Sequence, residues 1–244
     1  MSNLRFHSPE KLREGSTVKL SDNAAIHAAK VMRLSVGDKF VLFDGSGFDF
    51  ECELTSVQKN ATLAQVLSAF EVNTESPLNI TLLQGISSGD RMDYSIQKAV
   101  ELGVKAIQPI ATERSLVKLS AERAEKRLEH WQNIVISACE QCGRAFIPQV
   151  LAPKTLANWL SINAQSKATR ILLNPVGAKR IAELTKPSGE IQLLIGAEGG
   201  LSQSEINLAL SQGFQSVILG PRILRTETAG PTSIASFQAL WGDF

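Results

Sequence analysis

Over the first seventy or so residues, apolar and polar positions alternate in short runs, at 17–20, 39–43, 48–56 and 62–70. Such alternation is the signature of strands with one buried face. Asp44-Gly45-Ser46-Gly47 separates two of these runs and marks a turn. One helix interrupts the predicted strands, from Asp22 as N-cap to Met32, because Ala25, Ala28, Ala29 and Met32 recur three to four residues apart. The stretch Asn73-Thr74-Glu75-Ser76-Pro77 is polar, lacks periodicity and closes on proline. It divides the chain into a first domain at 1–72, a linker at 73–77 and a second domain at 78–244.

Beyond Leu78 the texture changes to short apolar runs at 80–83, 106–110, 170–173, 191–195 and 216–219, alternating with helical stretches. This is the pattern of βαβ units around a largely parallel sheet, an α/β fold class. The longest helical stretch, 120–142, carries Ala124, Leu128, Trp131, Val135, Ala138 and Cys142 on one stripe. That stripe is predicted to pack into a core, with a subunit interface as the alternative.

Composition narrows the picture only a little. The chain has 244 residues, 43% apolar and 20% charged, so it can bury a substantial core and is not disordered. Its 25 Lys plus Arg balance 24 Asp plus Glu. No whole-protein field argues for or against a polyanionic partner. The first domain has eight Lys plus Arg against nine Asp plus Glu over residues 1–72, so any RNA surface there must be a patch. The three cysteines, the absence of an apolar leader in the opening residues and the absence of an apolar run of about 18 residues lead us to expect a cytoplasmic protein. Cys139-Glu140-Gln141-Cys142 has redox or zinc spacing, but it lies on the apolar stripe and no histidine stands at a matching interval. Burial is the simpler expectation, and no metal is predicted.

Two segments can carry chemistry. Gly196-Ala197-Glu198-Gly199-Gly200 follows an apolar strand, and Ser202 with Glu205 forms a capping box that starts a helix just beyond it. Glycines at such a junction either make a simple turn or let backbone approach a ligand closely. A dinucleotide or triphosphate is poorly matched, since Gly-x-Gly-x-x-Gly and the phosphate-loop Lys-Ser or Lys-Thr are both missing. The second segment, Leu219-Gly220-Pro221-Arg222-Ile223-Leu224-Arg225-Thr226-Glu227-Thr228-Ala229, sets two arginines and a glutamate among apolar residues. It is either the edge of a buried pocket or a salt-bridged helix start.

Together these two segments resemble the signature of the bacterial small-subunit ribosomal RNA methyltransferase E family, which methylates N3 of a uridine in 16S rRNA. The likeness continues in order through His27-Ala28-Ala29-Lys30-Val31-Met32-Arg33, Ile96-Gln97-Lys98-Ala99-Val100-Glu101-Leu102-Gly103-Val104 and Ala138-Cys139-Glu140-Gln141-Cys142-Gly143-Arg144. The resemblance implies a C-terminal SPOUT-type α/β domain with a trefoil knot, a small PUA-like β-barrel before it that binds RNA, and a homodimer. Periodicity alone shows no knot. The chain departs from the family in having Ala197 where proline is usual, and in continuing the last motif with Gly230-Pro231. Loss of that proline widens the conformational choices of the loop without removing a chemical group.

The implied methyl donor is S-adenosylmethionine, with no metal. By resemblance it lies against Leu173, Asn174 and Pro175, against Leu194, Gly196, Gly199 and Gly200, and against Leu219, Gly220, Ile223, Leu224 and Thr228. Uracil N3 must lose a proton as it attacks. Arg225 is the candidate stabiliser of the uracil anion, and Glu198 and Glu227 are the candidate bases, between which the residues themselves do not choose. Arg5, His7, His27, Lys30 and Arg33 in the first domain, with Arg91, Arg114 and Arg144, are the candidate contacts to 16S rRNA, expected as part of the assembled small subunit. Tyr94, close to Arg91, offers a ring either for packing or for stacking on a base. Two other classes compete: a noncatalytic RNA-binding or ribosome-assembly factor of the same fold, and an oxidoreductase, which the missing dinucleotide fingerprint disfavours.

Overall fold

The computed structural model of the chain describes residues 4–58, 61–117, 120–175 and 179–244. It divides between Glu75 and Ser76, and the first unit also takes in a second segment, Cys139–Ile147, which hydropathy does not announce.

The first unit is built on a five-stranded sheet in the order β1-β3-β4-β5-β2, formed by β1 (Arg5–His7), β2 (Thr17–Lys19), β3 (Lys39–Phe43), β4 (Phe48–Gln58) and β5 (Ala61–Glu71). Only β1 and β3 run parallel. At three residues, β1 is too short to show a period, and sequence reading missed it. The turn between β3 and β4 is held by the Asp44 carboxylate, which accepts from the N–H groups of Leu12 and Ser46, and Gly45 and Gly47 take left-handed φ of 77° and 93°. Phe6, Phe40, Leu42, Phe50, Leu54 and Val66 pack the core. The helix expected over 22–32 is divided into α1 (Asp22–Ile26) and a wider π turn at His27–Val31. Its cap is Ser21 rather than Asp22, because the Ser21 hydroxyl accepts from the Ala24 N–H.

Four of the ionic groups in this unit form a closed cluster. Arg5 grips the Asp49 carboxylate through Nε and Nη2 and donates to the carbonyls of Cys139 and Arg144. Arg144 grips Glu75 in the same two-pronged way, at 2.8 and 2.7 Å. Both arginine side chains are buried. Fork-on-fork geometry of this kind compensates the desolvation of both partners.

The second unit holds an eight-stranded parallel sheet in the order β11-β13-β10-β12-β6-β7-β8, with β9 also on β7. Its strands are β6 (Ile80–Gly85), β7 (Ala106–Ala111), β8 (Gln149–Val150), β9 (Lys154–Thr155), β10 (Thr169–Leu173), β11 (Lys179–Arg180), β12 (Ile191–Ile195) and β13 (Gln215–Ile218). The expected apolar runs form the central strands, and β12 is buried at every position, as a parallel strand covered on both faces must be. The helices are α2 (Asp90–Glu101), α3 (Ala121–Cys142), α4 (Leu156–Ile162), α5 (Gln203–Ser211) and α6 (Thr226–Trp241). In α3 the stripe packs as core through Trp131, Val135 and Ala138, and from Cys139 onward the helix groups with the first unit. Burial pushes the Cys139 thiol up to about 12, so it stays protonated and inert. No described helix is long and apolar enough to cross a membrane.

Candidate active site

Strands β13, β10 and β12 are adjacent and parallel, so the loops at their C-terminal ends leave the sheet along one edge. Those loops carry Asn174 and Pro175, the 196–201 turn and the 219–225 connection, and they enclose a cleft of about 540 Å³. The capping box is present as expected: Ser202 caps α5 by accepting from the Glu205 N–H, and Glu205 returns a bond to the Ser202 N–H. The other Glu205 oxygen accepts from the Glu113 N–H, which ties the loop after β7 to the same edge.

The 196–201 turn is compact. Gly200 donates to the Ala197 carbonyl at 2.8 Å, and Gly200 holds a left-handed φ of 68°. Beneath it lies Gly85, where an added Cβ would meet the Ala197 nitrogen at 2.3 Å, so that contact requires glycine for close approach.

Arg225 stands immediately before α6 in an extended conformation. Its carbonyl accepts from the Thr228 and Ala229 N–H groups, while its side chain lines the cleft with no ion pair or hydrogen bond among the described residues; the Arg222 side chain beside it is likewise unengaged among them. The two glutamates differ. Glu198 accepts through Oε1 from the Ser88 N–H and hydroxyl, at 2.8 and 2.7 Å, and from Arg91 at 3.2 Å. Burial by itself would raise its pKa, but the bonds from Ser88 and Arg91 win and hold the carboxyl down to about 2. The Glu227 carboxylate is held more loosely, and its one ion pair among the described residues is to Arg91 Nε at 3.8 Å. Pro231 is the sixth residue of α6 and has no N–H to give the Glu227 carbonyl four residues back, while Gly230 lets the helix lie against Gln84.

Most of the expected donor contacts line the cleft: Leu173, Asn174, Pro175, Gly196, Gly199, Gly200, Leu219, Gly220, Ile223 and Leu224. Two do not. Leu194 is buried in the core with Leu83, Leu172 and Trp159, because strand alternation turns it away from the cleft that Ile195 lines. Thr228 is exposed on the outside of the first turn of α6, and Thr226 lines the cleft instead. Sequence reading also passed over Ala197, Ile218, Arg222 and Ala229, all neighbours of named residues, and Ser88, for which no signal stood in the chain.

The expected RNA contacts separate into two kinds. Arg5 and Arg144 are corrected: their guanidinium groups are held by Asp49, Glu75 and backbone carbonyls and are not presented to solvent. His7 is half-buried against Phe43, and burial lowers its pKa, so it is uncharged at neutral pH. His27, Lys30 and Arg33 are exposed on and after the π turn, with Arg33 at a left-handed φ of 57°. Arg91 sits in the cleft wall, and Arg114 is exposed with Nη1 near the Gly199 carbonyl. Tyr94 is 48% exposed, beneath the Lys98 ammonium. Among the described residues, no group of three or more His, Cys, Asp or Glu is arranged to hold a metal ion.

The second unit matches the family model for an RNA methyltransferase domain over residues 74–238, and the first matches that for an RNA methyltransferase PUA domain over 20–67. A Neisseria gonorrhoeae ribosomal RNA small subunit methyltransferase E, solved bound to S-adenosyl methionine, is 46% identical with a TM-score of 0.91 and covers 99% of each chain. A Legionella pneumophila protein solved with bound cofactor SAM is 38% identical over the whole of both chains, with a TM-score of 0.95. The curated ribosomal RNA small subunit methyltransferase E of Buchnera aphidicola from Schizaphis graminum is 37% identical over 95% of this chain and 94% of that one. On domain content, length and identity together, the chain belongs to the ribosomal RNA small subunit methyltransferase E family.

Proposed function

We propose that the cleft binds S-adenosylmethionine and that the protein methylates N3 of a uridine in 16S rRNA. The observation that carries this reading is the pairing of a backbone-lined cleft with an unengaged arginine, Arg225, and a loosely held carboxylate, Glu227. The volume of about 540 Å³ lies in the range of small-molecule sites. Leu173, Ile195, Ile218, Leu219 and Leu224 give an apolar wall for adenine, and the peptide groups of the 196–200 turn give polar partners. Bound there, S-adenosylmethionine supplies an electrophilic methyl carbon, so the chain has mainly to align the attacking nitrogen and manage its proton. The 174–175 and 219–225 segments both line the cleft in which this ligand would lie.

Glu227 takes the N3 proton. Glu198, held near 2 by its hydrogen bonds, is too weak a base and serves to anchor the 196–201 turn to Ser88 and Arg91. Arg225 stabilises the negative charge that spreads to the uracil oxygens as the proton leaves. RNA is met by His27, Lys30 and Arg33 in the first unit and by Arg91, Arg114 and Arg222 in the second, with Tyr94 available for stacking. The target base has to be unpaired or drawn from its stack. We read the protein as a homodimer, with Ile223, 85% exposed at the cleft, covered by the second copy, and its substrate as the assembled small subunit in the cytoplasm.

Calorimetry with S-adenosylmethionine, followed by mass mapping of 16S rRNA treated with the protein, tests this reading. Donor binding and one methyl group on uracil N3 are expected. A protein that binds 16S rRNA but no donor is a noncatalytic factor. Equal methylation of deproteinised 16S rRNA and intact subunits removes the preference for the assembled particle, and a single-copy mass in solution removes the dimer.

A further inference from the structure

At the floor of the cleft a chain of hydrogen bonds runs from the sheet to the donor turn. Gln84, the next-to-last residue of β6, is fully buried. Its Nε2 donates to the Gly85 carbonyl at 3.2 Å and to the Thr226 hydroxyl at 2.9 Å. Thr226 Oγ1 in turn lies 2.6 Å from the Gly196 carbonyl. A carbonyl only accepts, and threonine has one hydroxyl proton, so that proton goes to Gly196 and the Gln84 amide must be the donor behind it. The direction of the whole chain is thereby fixed. It joins three segments that meet nowhere else in sequence: the end of β6, the turn after β12 and the first residue of α6.

We infer that Gln84 and Thr226 are positioning residues that lock the Gly196 peptide against the start of α6, so that the donor turn and the Arg225–Glu227 segment are held in one register. The inference rests on the donor-binding reading of the cleft. Three features make the lock stiff. Gly85 sits in direct contact with the Ala197 nitrogen, so the turn cannot sink toward the sheet. Gly230, which has no side chain, faces the Gln84 Oε1, so α6 lies close against the amide. Thr226 is the first residue of α6, and its neighbours Arg225 and Glu227 follow any displacement of the helix start.

Calorimetric titration of the full chain with S-adenosylmethionine tests the lock, with melting temperature recorded for each variant and turnover at saturating donor measured on 16S rRNA. Thr226→Val keeps the shape and removes the hydroxyl; donor binding should weaken about tenfold, the scale of one lost buried hydrogen bond, and turnover at saturating donor should fall as well. Thr226→Ser keeps the hydroxyl and should recover most of both. Gln84→Met removes the amide at nearly constant volume while the Thr226 proton still reaches Gly196, so it should lie between native and Thr226→Val; it also serves as the test where Thr226→Val does not fold. Thr226→Val with native affinity and turnover overturns the inference, as does Thr226→Ser failing as badly as Thr226→Val, which assigns the effect to the lost methyl. A native chain that takes up no donor removes the functional reading and this inference with it, whereas native binding with indifferent variants removes the inference alone.

Discussion

Arg5 and Arg144 of the first unit and Arg222 and Arg225 of the second are held in opposite ways. In the first, Arg5 and Arg144 are buried, and each is gripped by a carboxylate and further engaged within the cluster around Asp49 and Glu75. In the second, the Arg225 and Arg222 side chains line the cleft with no partner among the described residues, and Arg91 is shared between Glu198 and Glu227. A closed cluster gains shape at the cost of responsiveness, because every charge is already neutralised locally. An open arginine stays solvated in the resting protein, and its charge is free to meet charge that develops in a reaction. The same residue type therefore marks architecture where partners close on it, as they also do on buried Arg170 of the second unit, and a candidate for chemistry where they do not; partner geometry, not charge, tells them apart.

The sharpest way to break this comparison is to remove one arginine from each side. Arg144→Met leaves Glu75 buried without its fork and should cost about 3–5 kcal/mol of stability, read as a large fall in melting temperature or denaturation midpoint. Arg225→Ala should leave melting temperature close to native and lower turnover about 100- to 1000-fold, with donor affinity by calorimetry changed far less. A stability loss at Arg225, or none at Arg144, would reverse the assignment.

The glutamates sharpen the same contrast at a smaller scale. Glu227→Gln should lower turnover roughly 100-fold, while Glu198→Gln costs about tenfold or less. Smaller again is the pH effect of Glu198 on folding. Its folded-state pKa lies below the ordinary carboxylate value, so its contribution is complete above that value and is lost as pH falls through about 2. Melting curves between about pH 5 and about pH 2.5 should therefore fall less steeply for Glu198→Gln than for the native chain. The smallest expected effect is ionic: with a few placed cations rather than a lysine-coated surface, RNA binding should weaken with added salt less steeply than for a strongly basic protein.

Much of this arrangement could be read along the chain, and the rest could not for identifiable reasons. Continuous apolar runs foretold β6, β10 and β12 because strands buried on both faces leave no alternation to misread. Ser202 and Glu205 foretold the start of α5 because a capping box is a local device. Burial of Arg5 and Arg144 was hidden because their partners stand 44 and 69 residues away, and nothing local distinguishes a paired arginine from an exposed one. Ser88 escaped for the same reason: its bond to Glu198 spans 110 residues. Most of the cleft lining was named through resemblance, whereas Leu194 and Thr228 fall outside that lining, the first turned into the core by strand alternation and the second turned outward by helix phase.

The most direct test of the central claim is mass mapping of 16S rRNA incubated with S-adenosylmethionine and either the native chain or Arg225→Ala. The account predicts a single methyl group on N3 of one uridine with the native chain, and its near disappearance with the variant although the donor still binds. A methyl group on any other atom, or full methylation by Arg225→Ala, contradicts it.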